Sequence, residues 1–481
     1  MKSQKTEGLT AEKDKDIFEW YSQICIKSGL ADYGIVKGTM VIKPKGYFVW
    51  ESIQNYFNKN ILGEIKAENV YFPMFIPESF FKKESEHAKG FKAEVAWIDK
   101  TLTGGDKGER LAIRPTSETI IYDSFSKWIR SYKDLPLKIN QWCNVVRWET
   151  EATKLFLRSR EFLWQEGHCV YETEEECKKD AIKIINLYSK LCKDLLALPV
   201  LIGKKTEKEK FAGAKTTYTI ESFMPEGKAL QCGTSHELGQ EFARAFNINF
   251  IDKNEKIRIP WQNSWGLSTR LIGACVMMHS DNKGLVLPPN VSKNKLVIIP
   301  IIKGNDKKVL TKSLQVFNLL KEFNPILDNR LEYTPGWKYN EYELKGIPIR
   351  LEIGLREIEK NQVILVRRDN GNKKIVKIIN LEKEMKREIE DMQENLFKKS
   401  EKFIHESVVK VKSFQDLKKE IQNKKIVFAS FCGRTSCEDE IKSKAEGITT
   451  RCIPFNSKTP KDNCINCKNP ALCEVYFARS Y

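Results

Sequence analysis

The sequence predicts an α+β fold with a large mixed first domain, a smaller α/β domain after it, and a small α/β domain near the C-terminal end. Three observations lead to this prediction. The stretch Val145–His168 reads as two strands joined by a loop, with aromatic and β-branched residues at both ends. After Pro289, strand and helix patterns alternate through LVIIPII, LEYTP, IPIRLEIG and QVILVRR, which is typical of a mixed or parallel sheet. The last part of the chain begins with a strand, KIVFASF, followed by two pairs of cysteines.

Length and composition place the chain among ordinary globular proteins. Its 481 residues are enough for two or three domains, each with its own core. Apolar residues make up 41% and charged residues 30%, and no apolar run approaches the length of a membrane span. The N-terminal sequence MKSQKTEGLTAEKDKD is polar and contains acidic residues, which argues against a signal or transit peptide. These features predict a cytoplasmic protein.

The net charge is +17, from 81 Lys and Arg against 64 Asp and Glu. A polyanionic partner such as a nucleic acid explains this excess, and so does lysine enrichment from biased codon usage. The two explanations do not exclude each other. Thirteen cysteines without a secretory signal indicate reduced thiols or a metal site rather than disulfides.

The hairpin VVRWETEATKLFLRSREFLWQEGH carries the most specific pattern, because R-x-E is followed by a polar loop and then by R-x-x-x-F. A charged outer face with one incidental histidine would give a similar composition. The full string, however, resembles motif 2 of the class II aminoacyl-tRNA synthetases, and its end LWQEGH resembles the prolyl-tRNA synthetases. Arginine suits an adenylate-forming site, since its planar fork binds carboxylate or phosphate oxygens in pairs and keeps its charge.

The resemblance implies an antiparallel catalytic sheet flanked by helices and a set of ATP contacts. Arg147 would bridge the α-phosphate and the substrate carboxylate, and Arg158 would reach the far phosphates. Glu149 would accept from the adenine amino group, and Phe162 would stack on the base. The string NSWGLSTRLIG resembles motif 3, in which Arg270 would hold the γ-phosphate. The implied ATP-binding set is Arg147, Glu149, Arg158, Phe162, Gln231, Thr234, Ser268 and Arg270, with Gln231 near Mg²⁺ and with Arg147 and Arg270 as the catalytic residues.

Two further strings resemble the proline site of this family. In LAIRPTSET, Thr116 and Glu118 would bind the substrate amino group, while the preceding loop after FKAEVAW closes over the site. The same TSE is also a good helix start. In QCGTSHELGQ, His236 would line the site, although a lone histidine is usually structural. The implied proline-binding set is Thr116, Glu118, Arg147, Trp164, Glu166, His168, Phe211 and His236, and Cys232 stands where many relatives have Gly or Ala.

The first part of the chain also carries an interface pattern. Residues 16–28 and the stretch GYFVWESIQNYFNKNIL read as amphipathic helices, and NVYFPMFIP reads as a strand. Because Pro73 cannot donate to a sheet ladder, that strand belongs at an edge or an interface. The unit resembles motif 1, which implies a homodimer.

Between motifs 2 and 3, a long helix over 174–200 and several strands already fill the interval. Bacterial-type prolyl-tRNA synthetases place a large hydrolytic editing domain there. The chain therefore resembles the archaeal/eukaryotic type, which has no editing domain in cis.

The C-terminal half resembles the remaining domains of this subclass. WKYNEYELKGIPIRLEIG is similar to the anticodon-binding domain, where Lys338, Glu343 and Arg350 would contact base edges. Beyond it, Cys432 and Cys437 form C-x4-C, and Cys464 and Cys467 form C-x2-C. Four thiolates in two close pairs suit tetrahedral zinc, although buried thiols would give the same pattern.

Together these features predict residues 1–290 as the catalytic domain, 291–400 as the anticodon-binding domain and 401–481 as a zinc-type domain. The implied reaction joins L-proline to tRNA(Pro) through a prolyl-adenylate, with ATP and Mg²⁺. A sister synthetase for Thr, Ser, His or Gly, or a non-catalytic RNA-binding descendant, is the alternative. The chain stops at FARSY, and by resemblance Tyr481 either orders the catalytic pocket or packs within the C-terminal domain.

Overall fold

The computed structural model describes residues 8–80, 95–98, 109–148, 153–302, 307–445 and 447–481. Within these ranges, no helix is both long enough and apolar enough to cross a membrane. The helices and strands fall into three regions along the chain, and the first and third regions share one sheet.

Seven α-helices of the first region lie wholly within the described residues. The longest has an amphipathic sequence, and its buried face packs under the central sheet. It is capped by Thr173, whose hydroxyl accepts from the backbone of Glu176 at 3.3 Å, and it stops where Ala197 turns left-handed. The seven are α1 (Ile17–Lys27), α2 (Pro44–Phe57), α3 (Gly63–Ile65), α4 (Glu118–Trp128), α5 (Glu174–Leu196), α6 (Glu241–Ala245) and α7 (Arg270–His279).

A π-helical stretch, Asn58–Leu62, joins α2 to α3, and 3-10 turns occur at Tyr132–Asp134 and Pro289–Val291. The strands of this region are β1 (Ala31–Tyr33), β2 (Met40–Ile42), β3 (Glu68–Val70), β4 (Phe75–Pro77), β5 (Trp97–Ile98), β6 (Leu111–Ile113), β7 (Leu137–Val146), β8 (Glu161–Tyr171), β9 (Leu201–Lys204), β10 (Thr216–Met224), β11 (Lys228–Gly239), β12 (Phe250–Ile251), β13 (Ile257–Arg258) and β14 (Trp261–Ser268).

The central sheet of this region runs in the order β3, β7, β8, β14, β11, β10 and β9. Every neighbouring pair is antiparallel except β3 and β7. The predicted antiparallel sheet flanked by helices is therefore confirmed. The hairpin β7–β8 pairs Val146 with Glu161, as the two-strand prediction for this stretch requires.

The prediction of one continuous strand in NVYFPMFIP was wrong. The chain forms two short strands there, β3 in the central sheet and β4 in a separate three-stranded sheet with β6 and β5. Pro73 lies between them, and a residue without an N–H cannot continue a hydrogen-bonded ladder.

Close packing under the sheet explains one glycine of the LWQEGH string. A Cβ on Gly167 would come within 2.2 Å of the ring of Trp265, which is fully buried on the next strand. Only glycine leaves room for that ring, so the indole packs directly against β8.

The second region is an α/β unit with a mixed five-stranded sheet in the order β16, β15, β17, β18, β19. The first three of these strands are parallel and the last three antiparallel. Two 3-10 turns, Lys321–Phe323 and Ile378–Asn380, interrupt the connections. The strands are β15 (Leu296–Pro300), β16 (Ile326–Leu327), β17 (Ile349–Ile353), β18 (Gln362–Arg367) and β19 (Lys373–Lys377), and the helices are α8 (Lys307–Leu319), α9 (Pro335–Lys345), α10 (Leu355–Glu359) and α11 (Leu381–Ser407).

The third region continues the central sheet of the first. Strand β24 pairs in parallel with the start of β11, Lys228 opposite Arg479, and β23 pairs with β9. Its own elements are β20 (Val408–Lys410), α12 (Phe414–Gln422), β21 (Ile426–Phe431), α13 (Thr435–Lys444), β22 (Ile448–Thr450), β23 (Ile453–Pro454) and β24 (Cys473–Ser480). The third region therefore lies directly beside the strands that build the candidate site.

Candidate active site

A cleft of about 320 Å³ opens on one face of the central sheet, within the size range of sites for small ligands. Side chains alternate between the faces of a strand, so every second residue of β8 points into the cleft: Phe162, Trp164, Glu166 and His168. Strands β11 and β14 supply the neighbouring walls. The hairpin that the sequence singled out is thus the centre of the site.

Most residues predicted for the site meet in this cleft. The lining includes Thr116, Arg147, Phe162, Trp164, Glu166, His168, Phe211, Gln231, Thr234, His236, Ser268 and Arg270. Glu118 is not in the lining but accepts a hydrogen bond from Thr116, which is. Arg158 lies in the connection between β7 and β8 rather than in the cleft wall. Glu149 and most of FKAEVAW lie outside the described residues.

A buried network holds Glu166 and His168 in place. Nε2 of His168 lies 3.1 Å from Oε2 of Glu166, and its Nδ1 lies 3.1 Å from the hydroxyl of Tyr122. The other carboxylate oxygen accepts from Ser117 at 2.5 Å and from Gln141 at 2.9 Å. Burial raises the pKa of Glu166, but the hydrogen bond and charge of His168 outweigh it, so the pKa lies below its usual range. Glu166 is therefore an ionised, fully bonded carboxylate.

The start of α4 presents polar groups at the same end of the cleft. The hydroxyl of Thr116 donates to the carboxylate of Glu118, and both residues are buried. Ser117 occupies the N-cap position of α4, but its hydroxyl bonds Glu166 instead of the helix backbone. The helix start and the predicted binding site therefore coincide in this segment.

Another wall of the cleft is formed by Phe211 and His236, whose ring centroids lie 4.7 Å apart. Thr217 joins them, because its Oγ1 accepts from the backbone N–H of Phe211 at 2.9 Å and lies 3.0 Å from Nδ1 of His236. Burial, together with the charge of His168, lowers the pKa of His236 to about 3. The His236 ring is thus neutral at physiological pH.

Arg147 leaves the end of β7 and lies over the aromatic side of the cleft. Its guanidinium carbon is 5.5 Å from the ring centroid of Phe162 and 5.7 Å from that of Trp164. Its Nε also donates to the carbonyl of Pro115 at 3.3 Å. A half-buried guanidinium fixed over two rings is well placed to meet an anionic ligand.

A second arginine enters from the first turn of α7. Nε of Arg270 donates to the carbonyl of Leu157 at 3.1 Å, and one terminal nitrogen donates to the carbonyl of Gln231 at 3.3 Å. Ser268 lies beside it and accepts from the Arg270 backbone at 3.2 Å. Two arginines thus approach one cleft from different elements, an arrangement suited to a polyphosphate.

Several cleft residues escaped the sequence analysis, chiefly Glu209, Thr217, Ser264 and Trp265. Thr217 is directly opposite His236 in the β10–β11 register, and Ser264 is opposite His236 on β14. Their place in the cleft follows from strand register alone, and no sequence pattern around these residues indicates it.

Outside the cleft, four cysteine sulfurs lie within 4.8 Å of one another: Cys432, Cys437, Cys464 and Cys467. The Cys437–Cys464 and Cys432–Cys467 sulfur pairs are 3.7 and 3.6 Å apart. Tetrahedral zinc with sulfurs at about 2.3 Å requires about 3.8 Å between them, so the four residues fit this metal. The other two nearby cysteines, Cys452 and Cys473, do not belong to the group.

Polar groups surround the four sulfurs. Arg434 donates to the Cys467 sulfur at 3.1 Å, and Asn466 donates to the Cys437 sulfur at 3.3 Å. Hydrogen-bond donors to the ligand sulfurs stabilise thiolates bound to a metal.

The three residues predicted to contact an anticodon already have partners within the second region. The Lys338 ammonium is buried and lies 3.0 Å from the carbonyl oxygen of Asp328. Arg350 bonds Glu343 and Glu352, both at 3.0 Å. Their role in recognition stays a prediction.

The ring of Tyr481 lies outside the cleft lining, between two ammonium groups. Lys154 and Lys228 are 5.7 and 5.6 Å from its centroid, and the side chain packs against the main core. Because Lys154 belongs to the connection between β7 and β8, Tyr481 lies close to that connection.

Three sequence families match the chain. The family described as "tRNA synthetase class II core domain (G, H, P, S and T)" matches residues 97–279, and "Anticodon binding domain" matches 295–388. The third, "Prolyl-tRNA synthetase, C-terminal", matches residues 414–481.

Similar proteins cover the chain nearly end to end. A proline–tRNA ligase of Alkaliphilus oremlandii is 48% identical over 97% of this chain and 96% of that protein. A second, from Clostridium botulinum, is 46% identical over 97% of both. The crystal structure of the Cryptosporidium parvum prolyl-tRNA synthetase with halofuginone and AMPPNP superposes with a TM-score of 0.95 at 41% identity, covering 99% of this chain and all of the other. The same enzyme with L-proline and AMP gives 0.93 at 40% identity, over 99% and 98% of the two chains.

Proposed function

The chain belongs to the class II prolyl-tRNA synthetases, and from this membership we propose how its cleft carries out the reaction. The chain is a proline–tRNA ligase. The observation that carries the residue assignments is the convergence of twelve predicted side chains on one cleft. The similar Cryptosporidium enzyme has been crystallised with L-proline and AMP, which are a substrate and a product of this reaction.

The reaction has two steps. A carboxylate oxygen of proline attacks the α-phosphorus of ATP, and pyrophosphate leaves. A hydroxyl of the terminal ribose of tRNA(Pro) then attacks the prolyl carbonyl carbon, and AMP leaves. The first step needs no general base, because the attacking carboxylate is already ionised. Catalysis therefore rests on alignment of the reactants and neutralisation of phosphate charge.

We assign the Thr116 end of the cleft to proline. There the hydroxyl of Thr116, and the buried carboxylate of Glu118 bonded behind it, would receive the secondary ammonium group. Trp164, Phe211 and His236 would enclose the pyrrolidine ring, and the Glu166–His168 network would keep that wall rigid. A neutral His236 suits this role, since a charged ring beside an ammonium would repel it.

The Arg270 end of the cleft is assigned to ATP. Arg147, whose guanidinium lies over Phe162 and Trp164, would bridge the proline carboxylate and the α-phosphate. Arg270 would hold the γ-phosphate and Phe162 would stack on adenine, with Ser268 and Thr234 supplying hydroxyl contacts. Arg158 is proposed to reach the far phosphates and Glu149 the adenine amino group.

Two metals are proposed from the donor chemistry. Gln231 lines the cleft beside Arg270, and its amide oxygen is a suitable ligand for Mg²⁺ bound with ATP. Mg²⁺ would supply additional neutralisation of phosphate charge. Zinc on the four cysteines would stabilise the C-terminal domain and takes no part in the chemistry.

We extend the proposal to the domains, the oligomeric state and the tRNA contacts. Residues 1–290, 291–400 and 401–481 would form the catalytic, anticodon-binding and zinc-type domains of a cytoplasmic homodimer. Lys338, Glu343 and Arg350 would recognise anticodon bases. The helix Glu174–Leu196 and the strands that follow it occupy the interval between motifs 2 and 3, which supports the archaeal/eukaryotic arrangement without an editing domain in cis.

Amino-acid-dependent exchange between ATP and pyrophosphate, measured with each of the twenty amino acids, tests the function. We expect exchange with proline, and weaker exchange with alanine or cysteine, because an apolar pocket separates near-isosteres by only about 10–200-fold. Exchange with threonine alone would indicate a sister synthetase, and none at all a non-catalytic protein. Hydrolysis of alanyl-tRNA(Pro) by the purified chain would contradict the absence of editing in cis.

A further inference from the structure

One wall of the cleft is formed by a segment of the first region that makes hydrogen bonds and an ion pair with the third region. Residues 205–215, called here the Phe211 segment, leave β9 and return into β10, and they place Glu209 and Phe211 in the cleft lining. At the Phe211 end, the catalytic sheet anchors the segment through the bond from the Phe211 amide to Thr217. Its first half has different anchors.

The first half is bonded to α13, the helix of the third region that also carries Cys437. The hydroxyl of Thr206 donates to a carboxylate oxygen of Glu438 at 2.9 Å and lies 3.0 Å from the hydroxyl of Thr450. All three residues are buried. Lys208 forms an ion pair with the next residue of the helix, Asp439.

A second contact fixes the start of the segment. The ammonium of Lys205 lies 2.6 Å from Glu221 of β10, and the same carboxylate receives Arg451 of the third region at 2.8 Å. Strand β23 also pairs directly with β9, Ile453 opposite Lys204. The segment thus begins against a buried surface that the third region completes.

Resting on the proposed function, we propose that Thr206 and Glu438 are positioning residues through which the C-terminal domain sets the affinity of the cleft for proline. They touch no substrate. Their bond fixes the path of the Phe211 segment, and that path decides where the Phe211 ring closes the proline wall.

The same geometry distinguishes the residues proposed to bind ATP from the wall proposed to bind proline. Arg147 is held by Pro115 and by two rings of β8, and Arg270 is held by Leu157 and Gln231. None of these contacts involves the Phe211 segment. Loosening the segment should therefore raise KM for proline and leave KM for ATP unchanged.

The test uses the full-length enzyme in proline-dependent pyrophosphate exchange. Thr206→Val removes the bond with little change in volume, and we expect KM for proline to rise about tenfold, the factor that one lost bond to a charged acceptor can produce. Thr206→Ser keeps the hydroxyl and should restore wild-type KM. The matched control is Ser413→Ala, which removes a helix cap inside the same domain without touching the first region.

A second readout follows the segment itself. Its lysines, among them Lys208 and Lys210, become better trypsin sites when the segment is loosened, so T206V should be cleaved there faster than the wild type and S413A should not. An unchanged KM for proline in folded T206V, or an equal rise in both KM values, would overturn the proposal. Absence of proline-dependent exchange in the wild-type enzyme would instead contradict the proposed function.

Discussion

Oγ1 of Thr217 lies 3.0 Å from Nδ1 of His236, and the same oxygen accepts from the Phe211 amide at 2.9 Å. One hydroxyl therefore couples the two rings that form a wall of the cleft. Since the pKa of His236 is lowered to about 3 by burial, its ring is neutral and one ring nitrogen remains free to accept the Thr217 proton.

Thr217→Val should loosen both rings at once. We expect KM for proline to rise about tenfold, because the mutation leaves a buried imidazole nitrogen and an amide without their partner. Thr217→Ser should behave like the wild type. Thr216→Val is the matched control, since the side chain of the neighbouring strand residue points to the other face of the sheet. Equal kinetics of T217V and T216V would contradict the coupling.

Arg147→Ala should remove adenylate formation and leave the fold intact. The guanidinium is half-buried and donates to the carbonyl of Pro115, whereas in the reaction it would face developing negative charge. The rate of proline-dependent exchange should fall about 100- to 1,000-fold. Arg244→Ala, at a surface arginine of α6, serves as the control. Exchange above about a tenth of the wild-type rate would argue against the bridging role, since such a contact supplies a few kcal/mol.

Arg451→Met should destabilise the junction of the first and third regions. Burial raises the pKa of Glu221, but Arg451 and Lys205 outweigh it and hold the pKa below its usual value of 4.5. Breaking a buried pair from one side costs about 3–5 kcal/mol, so the melting temperature at pH 7 should drop by several degrees.

The pH dependence of that loss has a defined sign. A carboxylate with a lowered folded-state pKa stabilises the fold above its unfolded pKa, and this contribution disappears as the pH falls through the folded value. The difference in melting temperature between R451M and the wild type should therefore shrink below pH 4.5. Lys410→Met, which breaks the more exposed pair with Glu474, should leave melting unchanged at both pH values.

Removal of one cysteine should test the proposed zinc site. Cys437→Ser is expected to lower bound zinc, measured by elemental analysis, from one to nearly none per chain, and to lower the melting temperature, because metal binding contributes to folding. Cys473→Ser changes a cysteine outside the group and should keep the metal. Full zinc content in C437S would contradict the four-sulfur assignment.

Binding of tRNA(Pro) should weaken steeply with salt. Neutralisation of phosphates by basic residues releases counterions, so the affinity should fall at least about tenfold between roughly 50 and 200 mM monovalent salt. Titration of labelled tRNA in a filter-binding assay measures the slope. A flat response would mean that the +17 charge reflects codon usage alone.

Local sequence predicted much of the fold and many of the residues that meet in the cleft. The hairpin around Arg147 and Phe162 was visible because strand alternation and the order of charged residues are both short-range signals. The prediction of a single strand through Pro73 was wrong for a local reason as well, since the missing N–H ended the ladder earlier than the apolar pattern suggested.

The remaining features depend on contacts between distant parts of the chain. Thr217 was missed because its role comes from the register of β10 against β11. Glu438 is more than 200 positions from its partner Thr206, and nothing in either neighbourhood marks the pair. Similarly, Lys338 is buried because α9 packs against Asp328, and no pattern around Lys338 indicates this contact.

The parallel pairing of β24 with β11 has a consequence for how this protein can be divided. A gene fragment that stops between the second and third regions would encode a catalytic domain with unpaired backbone on β9 and at the start of β11, the strand that carries Gln231 and His236. Exposed backbone of this kind recruits other chains and promotes aggregation. Any exchange of the third region between relatives must therefore preserve the strand pairs with β9 and β11.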